Sequence, residues 1–175
     1  MRVISERKAL IHLAALSKKY REQIAAAFEY RAASCATCKT PGACCLDEHF
    51  VNVQISRLEA AAIRHTLDSL AESHRNSIYD RIHAAIEKYR LANPSSGDFS
   101  KTYACPLYEK GQGCLVHLSG KPVACITHAC YESPADMPPD EVQFEQERRV
   151  DRLNDLAYGN DHQLLPLPLA LARRD

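Results

Sequence analysis

The sequence lacks most of the features that assign a protein quickly. Its 22 basic and 22 acidic residues cancel to a formal net charge of zero, with a pI of about 7.1. No global field therefore draws the chain to nucleic acid or to an anionic membrane. No apolar run approaches the roughly 20 residues that a membrane-spanning helix needs. The N-terminus, M-R-V-I-S-E-R-K-A-L, has neither the uninterrupted apolar core nor the small-residue cleavage site of a signal peptide. These absences lead to the expectation of a cytoplasmic protein without nucleic-acid or membrane partners. What remains is ordinary: 175 residues, 46% apolar and 25% charged, enough for one domain with a real core.

The unusual component is cysteine. Eight are present, and four fall within the eleven residues from Cys35 to Cys45, reading C-A-T-C-K-T-P-G-A-C-C. The others return after a long gap as Cys105, Cys114, Cys125 and Cys130. In a reducing compartment, thiols clustered in this way more often hold metal than form disulfides. Cys35 and Cys38 make a C-x2-C pair, whose short turn lets two sulfurs bite one metal while backbone amides stabilise their charge. Cys44 and Cys45 are adjacent, and neighbouring side chains diverge, so one can complete a first site while the other serves a second site or none. Eight thiolates suffice for two tetrahedral sites, for two clusters, or for one site with spare thiols. Lys39, Lys110 and Lys121 lie nearby in the chain to offset part of their charge.

Several familiar cysteine frameworks are missing. There is no second C-x2-C to make a zinc ribbon, and neither ferredoxin run, C-x2-C-x2-C or C-x4-C-x2-C, occurs. The C-x3-C-x2-C run of radical S-adenosylmethionine enzymes is also absent, and no βαβ pattern surrounds Cys35 and Cys38. The Cys105-Pro106 step resembles cluster ligands followed by proline, which tips the expected cofactor slightly from zinc toward an iron–sulfur cluster. His117 and His128 follow cysteines at C-x2-H spacing and are the best non-cysteine candidates, although loop structure is the default reading of both. Asp47-Glu48-His49 reads first as a solvated loop. His65, His74 and His83 read as surface or hydrogen-bonded residues of helices.

The rest of the chain predicts a mainly α fold: a small helical domain with irregular cysteine-rich loops and little or no β-structure. Apolar residues at helical spacing from Ile4 to Phe28, with Ser5 as N-cap, predict a helix over about 5–31. His49 to Ile55 alternates like a short strand. Ser56-Arg57-Leu58-Glu59 is a capping box opening a helix to about Leu70. A further helix spans about 74–92 and stops at the polar loop Asn93-Pro94-Ser95-Ser96-Gly97. The last spans about 140–158, with Val142, Val150, Leu153, Leu156 and Ala157 inward and Gly159 at C′. Residues 1–160 are thus expected as one metal-binding domain carrying cysteine blocks 35–45 and 105–130. Residues 161–175 are expected as an extended Leu/Pro-rich tail lying on the body or docking a protein partner.

The segment C35-A-T-C38…C44-C45, followed by V51-N-V-Q-I-S56-R-L-E59, resembles the opening of the CxxCxxCC family of zinc- or iron-chelating domains. Flagellin lysine N-methylase is among that family's relatives. The run C105-P-L-Y…G113-C114-L-V-H…K121-P-V-A-C125 looks like the family's downstream cysteine block, so the resemblance covers about residues 35–130. It implies that all eight cysteines are metal-site residues and that an iron–sulfur cluster is plausible chemistry. Function is therefore expected as cysteine-ligated metal binding. The alternatives are a metal-dependent redox or methyl-transfer enzyme and a structural-zinc interaction module.

Overall fold

The structure is a computed structural model that describes residues 3–33, 42–46, 53–91, 102–159 and 161–173. Its elements in chain order are α1 (Glu6–Ala27), β1 (Ala32–Ala33), β2 (Gln54–Ile55), α2 (Arg57–Asp68) and α3 (Glu72–Tyr89). They continue as β3 (Tyr108–Glu109), β4 (Gly113–Cys114), α4 (Val123–Ile126), β5 (Cys130–Tyr131), α5 (Asp140–Tyr158), β6 (Leu165–Pro166) and α6 (Leu167–Ala172). The fold is mainly α, as expected, with strands confined to two-residue antiparallel pairs among the described residues. The expected polar loop at 93–97, Asp47-Glu48-His49 and the first part of the expected strand at 49–55 lie outside the described residues.

The chain divides into two compact units, where one domain was expected. Unit 1 takes residues 1–41 and 121–162; unit 2 takes residues 42–120 and 163–175. Two of the three divisions, at 41/42 and 120/121, fall inside a cysteine block; the third is at 162/163.

In unit 1, α1 packs on α5, and α4 packs on both. Ser5 caps α1 by accepting from the Lys8 amide, and the expected stripe supplies Leu13, Tyr20 and Ile24 to the core, with Ala9 added and Ala27 left exposed. Val123 and Ile126 of α4 and Val150 and Ala157 of α5 complete that core. The helix also buries Gln146 and Asn154, which its apolar pattern does not show. The Val3 and Ile4 amides donate to Leu156 O at 2.9 and 3.0 Å, tying the two ends of the helical layer together. Gly159 ends α5 with φ of 82°, the left-handed region that favours glycine at a helix end.

Unit 2 is built on the Ser56/Glu59 capping box. The Glu59 amide donates to Ser56 Oγ, and Glu59 Oε2 accepts from the Ser56 amide at 3.0 Å. Helices α2 and α3 then present Ile63, Leu67, Ile78 and Ile82 to a shared core. The expected Leu/Pro tail behaves differently from the prediction. It pairs Ile55 with Leu165 in a β2–β6 ribbon and turns into α6, burying Leu167, Leu169 and Leu171 in that core. The proline pattern that suggested an extended tail is accommodated at the strand and at the first helical turn, where a missing amide costs nothing. These buried leucines are not a surface for a partner. Tyr103 closes the joint: its hydroxyl donates to Val53 O at 2.6 Å and accepts from the Leu167 amide at 3.1 Å. Arg64 Nη1 donates to the carbonyls of Ala170 and Arg173, satisfying the end of α6.

Two predictions follow from these cores. Leu171→Ala is expected to cost unit 2 about 2–5 kcal/mol, read as a lower urea midpoint by circular dichroism. In unit 1 the Tyr20 hydroxyl is buried without a hydrogen-bond partner among the described residues, and burial, then Glu147 and Tyr131, push its pKa from 10.0 to about 12. The folded protein therefore holds this proton more tightly than the unfolded chain, so its contribution is complete below the ordinary tyrosine value and lost as pH rises toward 12. Tyr20→Phe is expected to be neutral or stabilising by up to about 1 kcal/mol at neutral pH. It is also expected to melt higher than the parent near pH 11, the gap widening with alkali.

Candidate metal centre

Six of the eight candidate cysteines lie among the described residues, and none of the six is in a disulfide. Cys35 and Cys38 lie outside them. Unit 2 holds Cys44, Cys45, Cys105 and Cys114, brought from three separated stretches of chain; Cys125 and Cys130 belong to unit 1.

The unit 2 thiols are assembled by backbone. Gly42 (φ of 81°) starts the single turn Ala43–Cys45, and a side chain there would run into the ring of Tyr108, so glycine is required for both conformation and space. The Cys105 amide donates to Cys45 O at 2.7 Å, joining the two cysteine stretches directly. Beyond Cys105 the chain forms the β3–β4 hairpin, with Tyr108 opposite Cys114 and Glu109 opposite Gly113. The sulfur-bearing residues Cys105 and Cys114 pack against the apolar core of the unit.

The electrostatics of these thiols are mutual. The hydrogen bond with Cys44 leads in pushing the Cys45 thiol far up, followed by burial and by the proximity of Cys105 and Cys114. Burial likewise pushes Cys105 up to about 12, with Cys114 adding to the rise. The amides of Leu107 and Tyr108, which hydrogen-bond to Cys105, and the charge of Arg81 pull the other way. Without a cation Cys45 and Cys105 hold their protons; with one, Cys105 already has donors for a thiolate. Among the described residues, no three His, Cys, Asp or Glu side chains form a group that could hold a metal ion.

In unit 1, Cys125 sits in the one-turn helix α4, its amide donating to Pro122 O at 2.9 Å. Cys130 lies in β5, paired with Ala33 of β1, the strand that leads toward Cys35 and Cys38. His117 and His128 are both exposed.

One cluster escaped the sequence reading. Glu109 Oε1, with its side chain only 13% exposed, accepts from His74 Nε2 and from Arg81 Nη1, each at 2.8 Å. Arg81 Nε donates to Pro106 O at 3.1 Å. Helix α3 is thereby stapled to both ends of the segment carrying Cys105. The available signal was positional: His74 and Arg81, seven residues apart, flank the buried Ile78 and Ile82 on one side of α3. No family model, no curated protein and no solved structure matches the chain. Among the described residues no helix is long and apolar enough to cross a membrane.

His74, before Arg81, holds the Glu109 carboxyl below its ordinary range, while burial opposes. A lowered folded pKa contributes stability that is complete above the ordinary glutamate value of about 4.3 and lost as pH falls through the folded value. The parent is therefore expected to exceed Glu109→Gln in urea midpoint at neutral pH, with the gap shrinking below about pH 4. A gap independent of pH would show that the carboxylate charge is not what holds the hairpin.

Proposed function

We propose that this is a cysteine-ligated metal-binding protein, cytoplasmic, carrying an iron–sulfur cluster or zinc. In unit 2 the candidate ligands are Cys44, Cys45, Cys105 and Cys114, which the metal itself would have to draw together into a site. Cys125 and Cys130 of unit 1, together with Cys35 and Cys38, are the remaining candidate ligands.

The observation that carries this reading is the environment of Cys105. Its sulfur is backed by apolar core, yet it receives the Leu107 and Tyr108 amides, stands near an arginine and has three further thiols in its own unit. Amide donors of this kind match a thiolate rather than a neutral thiol, and the surrounding thiols give the soft donor set that zinc and iron–sulfur clusters select. The resemblance to the CxxCxxCC family, resting on its quoted motifs, points the same way. Bound metal supplies a cross-link between short loops, and an iron–sulfur cluster adds an electron-transfer centre. The chain's own part is to gather the sulfurs, to release their protons on binding and to meet the resulting charge with amides.

The test is metal, acid-labile sulfide and the visible spectrum of anaerobically purified protein. Iron with matching sulfide, or zinc without it, is the expected result. Cys105→Ser and Cys125→Ser are each expected to remove about half of the metal, and the double variant nearly all of it. Protein that holds neither metal, or whose metal is indifferent to both substitutions, overturns the reading.

A further inference from the structure

The backbone of unit 2 brings two cysteines from distant stretches of chain into direct contact. The Cys105 amide donates to the Cys45 carbonyl at 2.7 Å. A bond of that kind between two segments places their Cα atoms about 5–6 Å apart. Disulfides span Cα separations of about 4.4–6.8 Å, so the backbone spacing suits one without rearrangement. Both partners are also anchored. Gly42 (φ of 81°), packed on the ring of Tyr108, opens the turn that carries Cys45. On the other side, Arg81 Nε donates to Pro106 O at 3.1 Å and so ties the residue after Cys105 to α3. Neither cysteine is in a disulfide in this structure, so the pair stands in its reduced form.

We propose that Cys45 and Cys105 form a reversible disulfide, a redox-sensitive clasp between the turn Ala43–Cys45 and the segment that leads into the hairpin. The oxidant is a low-molecular-weight disulfide of the glutathione class. The Cys45 thiolate attacks one of its sulfurs, the S–S bond breaks, and the first small thiol leaves with the bonding pair. Cys105 then displaces the second small thiol from the mixed disulfide. Two protein thiols are oxidised, one small disulfide is reduced to two thiols, and two protons pass from protein to the leaving sulfurs. Cys45 is the entry point because it adjoins the exposed Cys44, whereas Cys105 rests against apolar core. The clasp needs no metal. Under the metal reading, oxidation withdraws two of the candidate ligands of unit 2.

The experiment uses the full chain, cleared of bound metal with a chelator, incubated with oxidised glutathione, alkylated and digested with trypsin. Cys45 then lies in the peptide 40–57 and Cys105 in the peptide 102–110. The expected result is one dominant cross-link between these peptides, assigned to Cys45 rather than Cys44 by backbone fragmentation between the two. It is expected to survive in Cys44→Ser, to vanish in Cys45→Ser, and to lose its dominance in urea, where the fold no longer chooses the pair. If a variant does not fold, the parent carries the test, since fragmentation reads the pairing directly. Any other dominant product overturns the proposal: unmodified thiols, glutathione held singly, or a cross-link through Cys44 or Cys114. Metal content measured before chelation tests the metal reading separately, so the two failures are distinguishable.

Discussion

Unit 2 depends on a closure made late in the chain. Leu167, Leu169 and Leu171 enter a core otherwise supplied by α2, α3 and the segment around Tyr103 and Leu107. The apolar area they remove from water is the main term, each leucine contributing on the order of 1.5–3 kcal/mol. The Tyr103 hydroxyl gives that closure its register by bonding Val53 and Leu167 at once. The described cysteine-bearing loops of unit 2 have almost no regular structure of their own, since two-residue ribbons cannot stand alone in water. They hold their shape because Cys105 and Cys114 rest on a core that the distant leucines complete.

Charge is handled on the opposite principle. Around Cys105 most polar groups are tied to a particular partner, Arg81 Nη2 excepted among the described residues. Pro106 O and Glu109 take two donors of Arg81, His74 takes up Glu109, and the amides of Leu107 and Tyr108 serve the sulfur. Such a network is rigid when satisfied and costly when one member is lost. It gives the hairpin a fixed seat on α3, which β3 and β4 alone do not provide.

Much of the helical framework was legible because its signals are local. Ser5 and the Ser56/Glu59 box mark helix starts through bonds spanning three residues, and Gly159 marks an end through its own backbone preference. The Leu/Pro segment was misread because prolines dominate its local pattern, while its fate is decided by core residues spread from Ile55 to Val116, far earlier in the chain. His74, Arg81 and Glu109 were missed for a related reason. Their partnership exists only after a hairpin is laid on a helix, and no local spacing encodes that meeting. The cysteines were conspicuous as residue types, but their grouping was not. The chain leaves unit 1 between Pro41 and Gly42 and re-enters it between Gly120 and Lys121, so each cysteine block is shared out between units.

The chain order of α6 also has a consequence for biosynthesis. All eight cysteines precede Leu167, so every sulfur is incorporated before the helix that completes the core beneath Cys105 and Cys114 has been made. During that interval the thiols of unit 2 have neither their apolar support nor their final spacing. Oxidation, mispairing and capture of the wrong metal all compete with folding then, because an unfolded cysteine chain binds soft metals without geometric discrimination. A nascent chain of this design is best served by a compartment, or an escort, that keeps its sulfurs reduced until the last leucines arrive.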